Sequence, residues 1–134
     1  MRSGIRVAVI CATAIASLGV GALPASAAVT SCPRDGYITK GDRCTTLDNG
    51  FLSIHLANKG SSVHVGYYRK SGGSLTGKLG YERSGSTVWS SSINMSNTPF
   101  HYDKTWSAGS SCSATYGKLY AGGSTYVTPP AYNC

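Results

Sequence analysis

Cys32, Cys44, Cys112 and Cys134 constrain this chain more than any other feature, because they follow an N-terminal export signal. Arg2 and Arg6 make a basic start, an apolar stretch runs from Val7 to Leu23, and Ala25-Ser26-Ala27 supplies the small residues that a signal peptidase requires. Residues 1–27 are therefore expected to be removed, with cleavage after Ala28 as the neighbouring alternative. Cys11 leaves with the signal, and the even four cysteines that remain read as two disulfides of a secreted, extracellular domain. Ile10 is too bulky to precede a lipidated cysteine, and no later run approaches the ~20 apolar residues needed to span a bilayer, so no membrane anchor is expected. Four cysteines allow three connectivities. Cys32–Cys44 with Cys112–Cys134 is the expected one, since each bond then staples one end of the chain to its neighbouring segment. Closing such loops stabilises by about 3 kcal/mol each in the chain-entropy model. A mature chain of this size buries only a modest core, so that contribution matters. A zinc site would want CxxC or HxxxH spacing, which is lacking.

Beyond the signal, helical periodicity gives way to short runs that alternate apolar and polar residues. Phe51–Leu56 places Leu52, Ile54 and Leu56 on one face, and Val63–Tyr68 does the same with Val63, Val65 and Tyr67. Asn58-Lys59-Gly60-Ser61 between them is turn chemistry, so the two runs should form a hairpin. Further strands are expected at Leu75–Arg83, Thr87–Met95, Phe100–Trp106, Cys112–Tyr120 and Thr125–Thr128, divided by segments rich in Gly, Ser and Asn. About seven short strands at this spacing predict an all-β domain over 41–134, a small antiparallel β-sandwich or barrel with two disulfides. Leu, Ile and Val are few, so the nine Tyr and two Trp are expected to supply much of the core. Residues 28–40 lack alternation, hold Pro33 and Gly36, and are expected to form an extended N-terminal arm tethered at Cys32. Pro129-Pro130 ends the last strand, and Cys134 should pin the tail back onto the domain.

Charge narrows the partners. Of the 12 Lys and Arg, Arg2 and Arg6 leave with the signal, so ten basic residues face five acids. That balance favours anionic partners such as cell-surface polymers, glycans or an acidic protein surface. The basic residues never run longer than two together, so neither a concentrated basic face nor a nucleic-acid-binding module is present, and no nucleic-acid partner is expected.

The chemistry-bearing residues are sparse. Gly72-Gly73-Ser74-Leu75-Thr76-Gly77-Lys78-Leu79 resembles a phosphate-binding loop, but it lacks the hydroxyl after lysine and leads into a strand rather than a helix. His55 should face His64 across the hairpin if Leu56 pairs with Val63, yet a tight metal site needs more ligands than His101 and a few carboxylates offer. Asp35, Asp42 and Asp48 suit turn roles, and His101 and Asp103 share a strand face without a nucleophile elbow or a free cysteine. Glu82 is the one glutamate, so paired-carboxylate catalysis is not expected. Neither an enzymatic activity, a metal nor a cofactor is expected.

Binding remains. Tyr67-Tyr68-Arg69-Lys70 runs from a strand end into the Ser71–Ser74 loop; with Tyr67 in phase with the core, Tyr68, Arg69 and Lys70 form an exposed aromatic and basic corner. Such a corner suits an inhibitor of a hydrolase, a peptidase or a glycosidase. Val29, Arg34 and Tyr37 are the corresponding contact residues of the arm. A sandwich with an open edge can also accept a partner's strand through main-chain hydrogen bonds.

The run Ile38-Thr39-Lys40-Gly41-Asp42-Arg43-Cys44-Thr45-Thr46-Leu47-Asp48-Asn49-Gly50, with Leu79-Gly80-Tyr81-Glu82-Arg83-Ser84-Gly85-Ser86 and Trp89, resembles small exported proteins of filamentous actinobacteria. In size, signal and cysteine layout the chain is similar to the UmbB-like adaptors of umbrella toxin particles. That resemblance implies a secreted protein-binding adaptor that links other secreted proteins of a toxin complex. One partner would add a strand to an open sheet edge, and a lectin-like subunit would engage the arm at 28–40. A cell-wall or glycan-binding module is the other reading of the same composition.

Overall fold

The structure, a computed structural model, describes residues 31–134, so the expected signal and Val29 lie outside the described residues. Ten strands follow in order: β1 (Tyr37–Thr39), β2 (Asp42–Leu47), β3 (Gly50–Ala57), β4 (Ser62–Arg69), β5 (Thr76–Arg83), β6 (Ser86–Trp89), β7 (Ile93–Asn94), β8 (Phe100–Ser107), β9 (Thr115–Ala121) and β10 (Ser124–Val127). They form two antiparallel sheets, one ordered β1-β2-β3-β4-β8 and the other β10-β9-β5-β6, with β7 pairing the start of β5 on the β6 side. The fold is thus the all-β sandwich that the alternation predicts, and the two sheets do not join into a barrel among the described residues.

The hairpin has the expected register: Leu56 pairs with Val63 and His55 with His64. Asn58, Lys59 and Gly60 turn the chain at positive φ, which short polar residues and glycine tolerate best. Leu52, Ile54 and Leu56 of β3, with Val63, Val65 and Tyr67 of β4, face Leu79 and Tyr81 of β5 and Leu119 of β9. Burying each aliphatic side chain contributes about 1.5–3 kcal/mol.

Two expectations need correction. Seven strands become ten because β1 and β2 were not anticipated and Thr87–Met95 divides into β6 and β7. The division occurs at Ser90: its hydroxyl accepts the Leu79 amide at 3.1 Å, and its own amide donates to Leu79 O at 2.7 Å. A side chain thereby replaces a ladder partner where the strand breaks. Of the expected arm at 28–40, Tyr37–Thr39 pairs with β2 as an edge strand, and the Cys44 amide donates to Gly36 O. The core is also mainly aliphatic. Of the aromatics only Phe51, Tyr67, Tyr81 and Tyr102 are buried, whereas Tyr37, Trp89, Phe100, Tyr120, Tyr126 and Tyr132 are exposed.

Both disulfides have the expected pairing, Cys32–Cys44 and Cys112–Cys134. The C-terminal bond anchors a tail that is also hydrogen-bonded throughout. Ala131 exchanges amide bonds with Thr115, the Tyr132 amide donates to Lys40 O, and Asn133 Nδ2 donates to Leu56 O. Replacing Cys112 and Cys134 together by serine is expected to lower stability by about 3 kcal/mol, read as a shifted urea midpoint at unchanged slope.

Two arginines close the ends of the sandwich. Arg83 donates to Gly60 O, Gly109 O and the Thr115 hydroxyl, tying the β3–β4 turn and the loop after β8 to the start of β9. Arg69, at the other end of β4, donates to Gly73 O at 2.6 Å and Met95 O at 2.7 Å. Both lie in the inward phase of their strands, where a guanidinium can satisfy several carbonyls at once.

Candidate functional site

The loop corner expected to carry binding is not assembled as expected. Arg69 is only 4% exposed, because it follows Val63, Val65 and Tyr67 in phase and turns into the sandwich. It therefore cannot serve as an exposed basic contact. Burial raises the Tyr67 phenol above its ordinary value, and the neighbouring Arg69 guanidinium offsets only part of that shift. Tyr68 and Lys70 share the opposite face, with the Lys70 ammonium 6.0 Å from the centre of the Tyr68 ring. Tyr68 belongs to an aromatic row across the sheet, 5.5 Å from Phe51 and 4.3 Å from His101. Of the arm residues, Arg34 and Tyr37 are exposed, and the Arg43 guanidinium sits 4.2 Å from the Tyr37 ring centre. The arm and the Tyr68 corner are thus two separate surfaces, one at the β1 edge and one at the β4 end.

The outer face of the first sheet aligns Asp42, His55, His64 and Thr105 across four strands. Asp42 keeps its expected turn role, accepting from the Thr39 hydroxyl across the β1–β2 turn, and its other carboxylate oxygen contacts His55 Nδ1. Among the described residues, no serine or cysteine hydrogen-bonds to either imidazole, and no three His, Cys, Asp or Glu side chains group as metal ligands. The pair is a hydrogen-bonded carboxylate and imidazole. His101 and Asp103 do share a face, paired with Tyr68 and Gly66. The Gly72–Leu79 segment runs directly into β5, so no helix N-terminus is available to a phosphate.

The surface that sequence reasoning did not locate is the side of the sandwich between β8 and β6. Among the described residues β8 pairs only with β4, so that no described strand pairs with the other edge of this eight-residue strand. Its inward phase is Phe100, Tyr102, Lys104 and Trp106, opposite Arg69, Tyr67, Val65 and Val63. Val88 of β6 faces inward beside Tyr81, whose ring meets Trp106 at 5.3 Å. Although both point into the sandwich, Phe100 is 48% exposed and Val88 40% exposed. Apolar side chains that face inward yet meet solvent mark a layer left unclosed on that side. Lys104 in the middle of this inward phase guards the edge against indiscriminate pairing. The available signal was the strict alternation Phe100-Tyr102-Lys104-Trp106, in which one charge interrupts an apolar phase.

Comparison with protein-family models, with curated proteins and with solved structures finds no match to this chain. The two disulfides fit an oxidising extracellular environment, and among the described residues no helix is long and apolar enough to cross a membrane.

Proposed function

We propose that the protein is a secreted, non-enzymatic adaptor of an extracellular toxin complex, which binds one partner protein at the outer edge of β8 and another at its N-terminal segment. The unclosed β8/β6 side carries this reading. An incoming extended segment would find a regular eight-residue edge for main-chain hydrogen bonds, and its inward residues would cover Phe100 and Val88. An acidic residue of that segment would meet Lys104. The second surface is formed by Arg34 and Tyr37, set at the opposite edge of the same sheet, so two partners can dock without overlap. The inhibitor alternative would rest on Lys70, which is exposed, rather than on Arg69, which is buried.

The test is affinity capture of partners from culture supernatant by tagged mature protein, followed by hydrogen exchange on each purified complex. One partner is expected to slow exchange of β8 amides, and Phe100→Asp is expected to release that partner alone. Arg34→Ala with Tyr37→Ala is expected to release the other partner alone. Retention of every partner by both variants, or β8 amides that exchange as fast in the complexes as in the free protein, would overturn the proposal.

A further inference from the structure

The outer face of the second sheet holds aromatic side chains that the sandwich does not use. On this face Trp89 of β6 lies beside Gly80 of β5, and Tyr120 of β9 lies beside Lys78 of β5. A Cβ at Gly80 would come within 2.6 Å of indole Cε3, so the absence of a side chain there lets the indole rest against the strand. Trp89 is 37% exposed and Tyr120 44% exposed, with ring centres 6.5 Å apart and planes inclined at 71°. The rings therefore make a corner rather than a flat strip. Lys78 borders that corner in register, directly across from Tyr120 and two residues before Gly80.

The charges on this face are uneven. Glu82, its one carboxylate among the paired positions, is held by Lys118 Nζ at 2.6 Å. Lys118 also donates to the Thr87 hydroxyl. Lys78 has no ion-pair partner among the described residues. A corner of two aromatic rings with one uncompensated ammonium complements a ligand that joins an apolar face to an anionic group.

We propose that this corner binds the pyranose rings of a uronic-acid-bearing polysaccharide. The C–H face of a pyranose carries slight positive charge and meets the negative face of the indole, as an aromatic edge does. A carboxylate on the same ring then reaches Lys78, and ring hydroxyls reach the Tyr120 phenol. A polyol phosphate polymer would supply the charge but no ring face, so the two aromatic residues favour the uronate. A partner's strand would pair at a sheet edge rather than on this face, so the site is independent of the β8 edge and of the adaptor reading.

The experiment is calorimetric titration of the disulfide-intact protein with a hexuronic acid oligomer, its carboxyl-reduced neutral counterpart and a polyol phosphate polymer. The uronate oligomer is expected to bind, with both comparison polymers at least tenfold weaker. Lys78→Gln and Tyr120→Ala are each expected to weaken uronate binding at least tenfold at unchanged Tm; both side chains are on the outer face, so the core is untouched. Trp89→Ala is expected to abolish binding, with its circular dichroism checking that β6 persists. The proposal is overturned if no uronate binds, if the polyol phosphate binds as well, or if Lys78→Gln and Tyr120→Ala bind normally. It is likewise overturned if the protein dimerises in sedimentation and Trp89→Ala makes it monomeric, since a second copy would then be the occupant.

Discussion

Replacing Gly50 by alanine is expected to destabilise the protein by about 4 kcal/mol, beyond the range of ordinary overpacking. A Cβ at this position would lie 1.8 Å from Tyr68 O and 2.9 Å from its carbonyl carbon. Those are backbone atoms of the adjoining strand, so no rotamer change can relieve the overlap. Gly50 opens β3 and pairs with Arg69, so the shift needed to admit a methyl group would disturb the end of the β3–β4 ladder and the Arg69 clamp together. Gly66 provides the control within the same strand pair. Its Cβ would meet Ser53 Oγ at 3.2 Å, the end of a small side chain that can turn away. Gly66→Ala is expected to cost less than about 1 kcal/mol. The two variants are compared by urea unfolding, and equal midpoints would refute the argument. For a domain whose whole stability is of the order of 5–15 kcal/mol, the Gly50 change threatens folding itself.

Local residue pattern set which strands could be read in advance, and tertiary placement set the rest. β3 and β4 were legible because their apolar phases repeat every second residue, β8 because only Lys104 interrupts such a phase, and β9 because small residues alternate with larger polar ones around Leu119, with turn residues bounding each. β2 was not, because its inward positions opposite Leu52 and Ile54 are Thr45 and Arg43, while its fully buried Cys44 lies in the outward phase. The disulfide to Cys32 covers that cysteine, so long-range covalent structure reverses the usual pattern. β1 is only Tyr37-Ile38-Thr39 and depends on β2 for its existence. The aromatic assignment failed for a related reason. Leu119 and Tyr120 are adjacent, so only one can face the core, and Leu119 does. Gly117, Leu119 and Ala121 leave Tyr116, Lys118 and Tyr120 in the outward phase, which was visible in the residues. Which aromatics those outward residues meet depends on β5 separating β9 from β6, and no local pattern encodes that order.

Arg69→Leu is expected to lower stability by about 3–4 kcal/mol, far more than Lys70→Ala next to it, which should stay within about 0.5 kcal/mol. The contrast follows from strand phase. Arg69 lies inward, almost without solvent, and its Nη1 donates to both Gly73 O and Met95 O. Hydrogen bonds from a charged donor contribute about 1.5–3 kcal/mol each, and leucine would leave both carbonyls without that donor. The clamp also spans distance in the chain, since it ties the loop after β4 to Met95, whose own amide donates to Leu75 O. Losing it should loosen the Ser71–Leu75 loop and the β7 end of the second sheet together, visible as faster amide exchange in both segments. Lys70 points outward beside Tyr68 and has no such role. If an Arg69→Leu protein kept its unfolding midpoint but lost the ability to hold a partner, Arg69 would be a contact residue and the buried clamp would be wrong. If it unfolds early and, while folded, retains its partners, the basic residue that looked most like a recognition group is a structural bolt, and recognition belongs to the sheet edges and faces around it.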